Sequence, residues 1–410
     1  MKKKSALIIL LLLSITLVSV RNYNPDNGTY YSIAELKKMY SSGDHSKWPK
    51  ATIDSSVVDF EDIGVLPDAV FPADNPYSLA KRELGKVLFF DPRLSGSQQI
   101  SCASCHDPEL GWGDGKRVSN GHDRTAGTRN SKPIINVAFS KVFFWDGRAA
   151  TLEEQAKFPI ADVKEMNNHM DIAVKNIQKI EGYKKFFYSA YGEEKVTEEK
   201  ILKAIATFER TVVSRKSRFD KFIEGDSTQL SDKEVNGLHL FRTKARCINC
   251  HNSPYFSDNQ FHNAGLTYYK RKYEDLGRYN ITHDPADVGK FKTPSLREIS
   301  HTGPYMHNGL FPQLRGVLNL YNAGMPNLKP KGDQVNDQLF PVTSPLLKKL
   351  NLTEQELQDL EAFLKSLSSG IYREPAPEEF PKKKESKAVK IKNGSATIKA
   401  PIEYVDEKSI

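Results

Sequence analysis

The chain has 410 residues, 39% of them hydrophobic and 27% charged, enough to bury more than one core. Its formal charge of +8 does not point to nucleic acid, because Lys2, Lys3, Lys4 and Arg21 carry four of those charges and the rest is spread out. No segment beyond Arg21 is apolar enough to cross a bilayer, and no cysteine precedes Cys102, which excludes a polytopic membrane protein and a lipidated N-terminus.

In chain order, Lys2–Lys4 lead into an apolar and small-residue run from Ser5 to Val20, the pattern of an export signal. No small-x-small pair marks a cleavage site, so residues 1–21 read as a signal peptide or an N-terminal anchor. The mature protein is expected outside the cytoplasm, with membrane contact only through an uncleaved N-terminus. Residues 22–75 form a polar extension rich in Pro, Asp and Asn. A helix is predicted from Tyr77 through Leu84 and Leu88 to a stop at Asp91-Pro92. Thr151-x-x-Glu154 is a capping box opening a helix that carries Gln155. Amphipathic helices are predicted near 171–181 and 198–213, the second with Ile201, Ile205 and Phe208 at helical spacing. Ser231-x-x-Glu234 and Thr353-x-x-Glu356 open two more, and residues 371–410 read as a loosely ordered, Lys/Glu/Pro-rich tail.

All four cysteines lie in two identical frames, Cys102-Ala-Ser-Cys105-His106 and Cys247-Ile-Asn-Cys250-His251. Two thiols at this spacing add to the two vinyl groups of a haem, and the histidine that follows turns its imidazole to the iron. A zinc ribbon pairs its CxxC units at roughly 15–20 residues, far closer than these two. A redox dithiol needs no histidine after each pair. The reading is two covalently bound haem c groups in a mainly α chain.

Between and after the motifs stand Arg129-Asn130-Ser131, Phe144-Trp145-Asp146-Gly147-Arg148 and Leu152-Glu153-Glu154-Gln155. Later come Lys292-Thr293-Pro294-Ser295-Leu296-Arg297 and Thr302-Gly303-Pro304-Tyr305-Met306-His307-Asn308-Gly309. From about residue 77 to 370 the chain closely resembles the bacterial di-haem cytochrome c peroxidases and the related MauG proteins. The resemblance implies two cytochrome c-like haem domains packed together, an N-terminal peroxidatic domain over 76–230 and a C-terminal electron-transfer domain over 231–370. It implies a first haem held by Cys102, Cys105 and His106, with His122 as the distal histidine that blocks the iron until reductive activation. Gln155 and Glu165 match the acid–base pair that handles peroxide, and Trp145 the tryptophan between the haems. Asn130, with the carbonyls of Thr302 and Pro304, matches a calcium site. The implied partners are hydrogen peroxide and a small cytochrome c or cupredoxin donor; family members are often homodimers, though no interface is marked here.

The second haem, held by Cys247, Cys250 and His251, carries a departure. Where the peroxidases place a methionine ligand, this chain has Tyr321, as the MauG branch does, with Met325 close enough to substitute. A thioether raises haem potential and a phenolate favours ferric iron. Three readings follow: a peroxidase fed by a small redox protein, a MauG-like oxidase of a protein or small-molecule substrate, and a plain electron carrier. Glu165 and Gln155 argue against the carrier.

Overall fold

The computed structural model describes residues 21–24 and 29–383, so all but the last residue of the leader or anchor at 1–21, and the tail beyond 383, lie outside the described residues. Within them the chain is mainly helical. The helices are α1 (Ile33–Tyr40), α2 (Leu79–Phe90), α3 (Leu152–Ala161), α4 (Met170–Gln178), α5 (Glu181–Tyr191), α6 (Glu198–Arg210), α7 (Arg218–Ile223), α8 (Asp232–Arg242), α9 (Tyr279–Thr282), α10 (Leu314–Asn322) and α11 (Glu354–Ser366). None is long and apolar enough to cross a membrane. Strands are confined to two antiparallel pairs, β1 (Arg21–Asn24) with β2 (Thr29–Ser32) and β3 (Phe261–His262) with β4 (Phe291–Lys292).

The predicted helix starts have their physical causes in place. Ser231 and Thr353 accept from Glu234 N–H and Glu356 N–H while those carboxylates accept back, closing both capping boxes. Thr151 caps α3 by accepting from Glu154 N–H at 3.1 Å, but the expected box does not close, because the Glu154 carboxylate accepts from Ala150 N–H at 2.8 Å instead. Helix α2 ends at Phe90, one residue before Asp91-Pro92, where proline removes a backbone donor.

Two cores form, and each is organised by the same crossing. Helix α2 packs on α6 and α8 on α11. At the first crossing a Cβ on Gly85 would lie 1.9 Å from the Ala204 carbonyl oxygen; at the second, one on Gly237 would lie 2.0 Å from that of Asp359. Four residues on from each of these positions stands a phenylalanine, and the rings meet in pairs, Phe89 with Phe208 at 5.2 Å and Phe241 with Phe363 at 5.3 Å. Only a residue without Cβ lets the backbones approach this closely. In each half the motif Cys-x-x-Cys-His follows the glycine-bearing helix.

The described flanking segments exchange halves. Leu36, Tyr40, Trp48 and Ile63, from the segment expected to be a polar extension, are buried in the core that holds α8 and α11. The buried Arg297–Asp220 pair adds to this by donating also to the Gly64 carbonyl. At the other end, residues 371–383 are not loose. Tyr372 and Phe380 pack against the first core, Trp112 Nε1 donates to Tyr372 O at 2.8 Å, and Glu374 pairs with Arg82 and Lys86. Composition hid this, because a few aromatic residues between lysines and prolines anchor an extended segment without any periodicity.

Candidate haem sites and the seam between them

Both Cys-x-x-Cys-His motifs fold as the same tight turn. His106 N–H donates to Cys102 O at 3.0 Å, and His251 N–H to Cys247 O at 2.9 Å. His106 Nδ1 lies 3.2 Å from the Trp112 carbonyl and His251 Nδ1 3.1 Å from that of Phe256. A carbonyl only accepts, so Nδ1 carries the proton in each ring and Nε2 is left with its lone pair for a metal. Burial pushes both imidazoles down, towards the neutral form that ligates. Burial raises the Cys102 and Cys105 thiols, and Cys247 to about 12, so these sulfurs stay as the S–H groups that add to vinyls.

The first motif opens onto a cavity with about 1860 Å³ of unfilled space, part of it open to solvent. Cys102, Cys105 and His106 line it, Gln155 enters from α3, Glu165 from the turn beyond α3, and Trp145 from the seam. Burial raises the Glu165 carboxyl, Asp162 adds to the rise, and Arg148 opposes it. The Gly121 backbone lies so close to Lys164 and Glu165 that a Cβ there would sit 2.1 Å from the Lys164 carbonyl oxygen. His122 N–H donates to Glu165 O at 2.8 Å. The His122 ring is not part of the cavity wall; its Nε2 lies 3.4 Å from Asp123 Oδ2. Asp123 and Arg124 both have positive φ, so the loop holding His122 is wound tightly against the pocket.

Two groups that sequence reasoning passed over also line this cavity. Glu209 of α6 is 4% exposed, its Oε2 has no partner, and burial pushes its carboxyl up to about 8 against the opposing charge of Arg210. It stands four residues after Ile205, on the apolar stripe of α6, which was the available signal. Lys132 Nζ is out of solvent without a hydrogen-bond partner and lies 4.3 Å from the centre of the Trp145 ring. A buried amine lacking an anion, in a cavity walled by Cys-x-x-Cys-His, suits a group that brings carboxylates, as haem does.

Trp145 stitches the seam. Its Nε1 donates to Asn130 O at 2.9 Å, and its own carbonyl accepts from Lys292 N–H of β4 at 2.8 Å. Asn130 N–H donates to His307 O at 2.7 Å, and Asn130 Nδ2 to Lys116 O at 2.9 Å. Asn130 therefore meets the segment that contains Thr302 and Pro304. Arg129 closes the seam with a two-toothed bond to Asp275 and a third contact to Asp146.

Residues 79–228 match the sequence model of the family described as di-haem cytochrome c peroxidase. The cytochrome-c peroxidase IdrP1 of Pseudomonas sp. (strain SCT) is 37% identical over 332 residues, covering 74% of this chain and 84% of its own. The chain belongs to the di-haem cytochrome c peroxidase and MauG family. The methylamine utilization protein MauG of Methylophilus methylotrophus is equally similar, 37% identical over 316 residues, covering 76% of this chain and 89% of its own. A crystal structure of a MauG-like protein associated with microbial copper homeostasis superposes with a TM-score of 0.67 at 32% identity, covering 78% of this chain and 96% of that one. Membership makes the chain an oxidoreductase of the peroxide-using class with two c-type haems, and the residues around both motifs fit that cofactor.

The second motif of this di-haem protein has different neighbours. Tyr321 stands in the last turn of α10, and its phenol is raised by burial first and then by the neighbouring Cys250 and Cys247. Met325 is 7% exposed, with its N–H on Leu320 O at 2.9 Å. His262, a residue the sequence reading passed over, pairs with Asp258 at 2.8 Å. Burial lowers its imidazole, but the bonds to Asp258 and Cys250 win and hold it at about 10. The Cys250, Asp258 and His262 ligand atoms lie within 4.8 Å of one another. Cys250 is committed to haem attachment, so this trio is the flank of the second haem site and not a separate metal site.

Proposed function

We propose that this protein reduces hydrogen peroxide to water at the first haem site, with electrons from a small redox protein entering through the second. The observation that carries this is the cavity beside Cys102–His106, which gathers Gln155 and Glu165 where no such chamber is needed for electron carriage. Haem, when bound, supplies the iron at which the oxygen–oxygen bond breaks. Glu165, with its carboxyl raised by burial, is suited to take the proton from one peroxide oxygen and return it to the other, so that water leaves. Gln155 orients the peroxide through its amide. Trp145 conducts between the two halves. His122, held on the Glu165 backbone beside the pocket, is the gating histidine that closes the first site in the oxidised enzyme. Asn130 with the Thr302 and Pro304 carbonyls binds calcium, a hard ion suited to oxygen donors. The basic and apolar leader directs export to the periplasm.

A second reading, MauG-like oxidation of a protein or small molecule, is favoured by Tyr321, whose phenol is raised by burial and by the neighbouring Cys250 and Cys247. Met325, close in sequence and buried, is the alternative ligand that would return the second site to the peroxidase type. Peroxide consumption by the fully oxidised and half-reduced haem-loaded protein separates them. Turnover only after half-reduction supports the gated peroxidase. Rapid consumption by the oxidised form supports the MauG-like reading, and no consumption in either state removes both.

A further inference from the structure

The diffuse positive charge of the sequence is not diffuse in one place. Segments 263–271 and 326–343 enclose a groove of about 360 Å³ lined by Lys270, Arg271, Lys329 and Lys331, and no carboxylate shares the lining. Lys270 reaches outside it to Asp337 at 2.8 Å. Arg271, Lys329 and Lys331 have no carboxylate within ion-pair distance among the described residues. The nearby acids in sequence are Glu274, Asp275, Asp333 and Asp337; none lines the groove, though Asp337 accepts from Tyr269 and pairs with Lys270 at its edge. Apolar side chains stand exposed on the same segments: Leu328 at 52%, Val335 at 65% and Val342 at 78%. Unpaired cations beside exposed aliphatic side chains are costly for a free surface and useful for a short-lived protein contact.

The groove is tied through the chain to the second haem site, since its lining residues Asn263 and Pro326 directly follow His262 and Met325. Its floor is Pro326, the residue after Met325, and the Pro326 carbonyl accepts from Thr343 Oγ1 at 2.7 Å. The Gly265 backbone presses on that carbonyl, where a Cβ would come within 1.9 Å. Asn263, which also lines the groove, follows His262, which bonds to Cys250. A partner seated in the groove thus touches chain that is one residue from a side chain bonded to the second Cys-x-x-Cys-His.

We propose that this groove is the docking surface for the electron donor and that the donor is an acidic small redox protein, its carboxylates meeting Arg271, Lys329 and Lys331. The proposal rests on the peroxidase reading for its purpose but not for its test. Opposite charges speed encounter and select the partner, and salt weakens them.

The test compares the haem-loaded wild type with the variant Arg271→Glu/Lys329→Glu/Lys331→Glu, all exposed positions that leave both cores intact. Calorimetric titration of the oxidised protein at low ionic strength uses an acidic bacterial cytochrome c and, separately, a cationic mitochondrial-type cytochrome c. The expected result is binding of the acidic partner, weakened at least tenfold in the variant and by added salt, with no binding of the cationic one. Equal affinity of wild type and variant for the acidic cytochrome overturns the proposal. So does a preference for the cationic one, or a groove-dependent sedimentation with phosphatidylglycerol vesicles in place of protein binding. Peroxide turnover with a small neutral organic reductant is read in parallel. If that turnover is absent while charge-dependent binding holds, the peroxidase reading fails and the docking surface stands.

Discussion

The two Cys-x-x-Cys-His motifs share a turn, a histidine tautomer and a glycine-crossed helix pair, yet their surroundings differ in kind. Around the first lies an open chamber with three groups that hold or position protons, Gln155, Glu165 and Glu209. Around the second, Tyr321 responds to Cys250 and Cys247, Met325 is buried a turn further on, and cations line a groove formed by the segments that follow His262 and Met325. Duplicated backbone architecture thus secures attachment of a cofactor, while the side chains facing its open side decide whether it meets a substrate or a partner.

The sharpest way to test this asymmetry is to disable the chamber alone. Replacing Glu165 by Gln keeps the shape and removes the proton carrier. Peroxide reduction by the half-reduced protein should fall by roughly 10²–10⁴-fold, the usual contribution of a positioned acid–base group. The haem absorption spectra should stay unchanged, since Glu165 belongs to no attachment motif. Unaltered turnover would mean that another group moves the proton, with Glu209 the next candidate in the same cavity.

Much of this contrast could be read from the chain before folding, and the rest could not for identifiable reasons. The capping-box patterns at Thr151, Ser231 and Thr353, of which the last two close fully, and the two haem motifs are local signals, so helices α3, α8 and α11 and the attachment points were visible. Helix α1 was not, because its buried pair, Leu36 and Tyr40, is too brief to show a period. Lys132 and Glu209 are single residues whose meaning comes from the cavity they enter. The cationic groove joins two segments more than fifty residues apart in sequence, so the charge looked scattered until the fold brought it together. His122 was legible as a loop histidine near the first site, but its placement on the Glu165 backbone needed the tertiary fold.

If the two halves are structural equals, they should tolerate the same injury equally. Gly85→Ala and Gly237→Ala each drive a methyl group into a backbone carbonyl across a helix crossing. Each should cost stability at the upper end of about 1–3 kcal/mol, because a backbone atom cannot swing aside as a side chain does. Thermal unfolding of the haem-loaded variants checks this. A large loss at one glycine and none at the other would show that one crossing carries the fold and the other merely accompanies it.

The smallest expected effect concerns how dry the first chamber is. Burial holds the Glu209 carboxyl at about 8 in the folded chain, against the ordinary carboxylate range once unfolded. Between those values the folded state binds the extra proton, so stability must fall as pH rises through that window and level off above about 8. Glu209→Gln removes this proton without removing the side chain, and its stability should be flatter from pH 5 to 8. At pH 8 the variant should be the more stable by less than about 2 kcal/mol, since water entry and local relaxation soften the penalty of a buried charge. Parallel pH profiles for wild type and variant would mean that solvent already serves Glu209. The chamber would then be wet, and its difference from the second site would lie in access and not in buried charge.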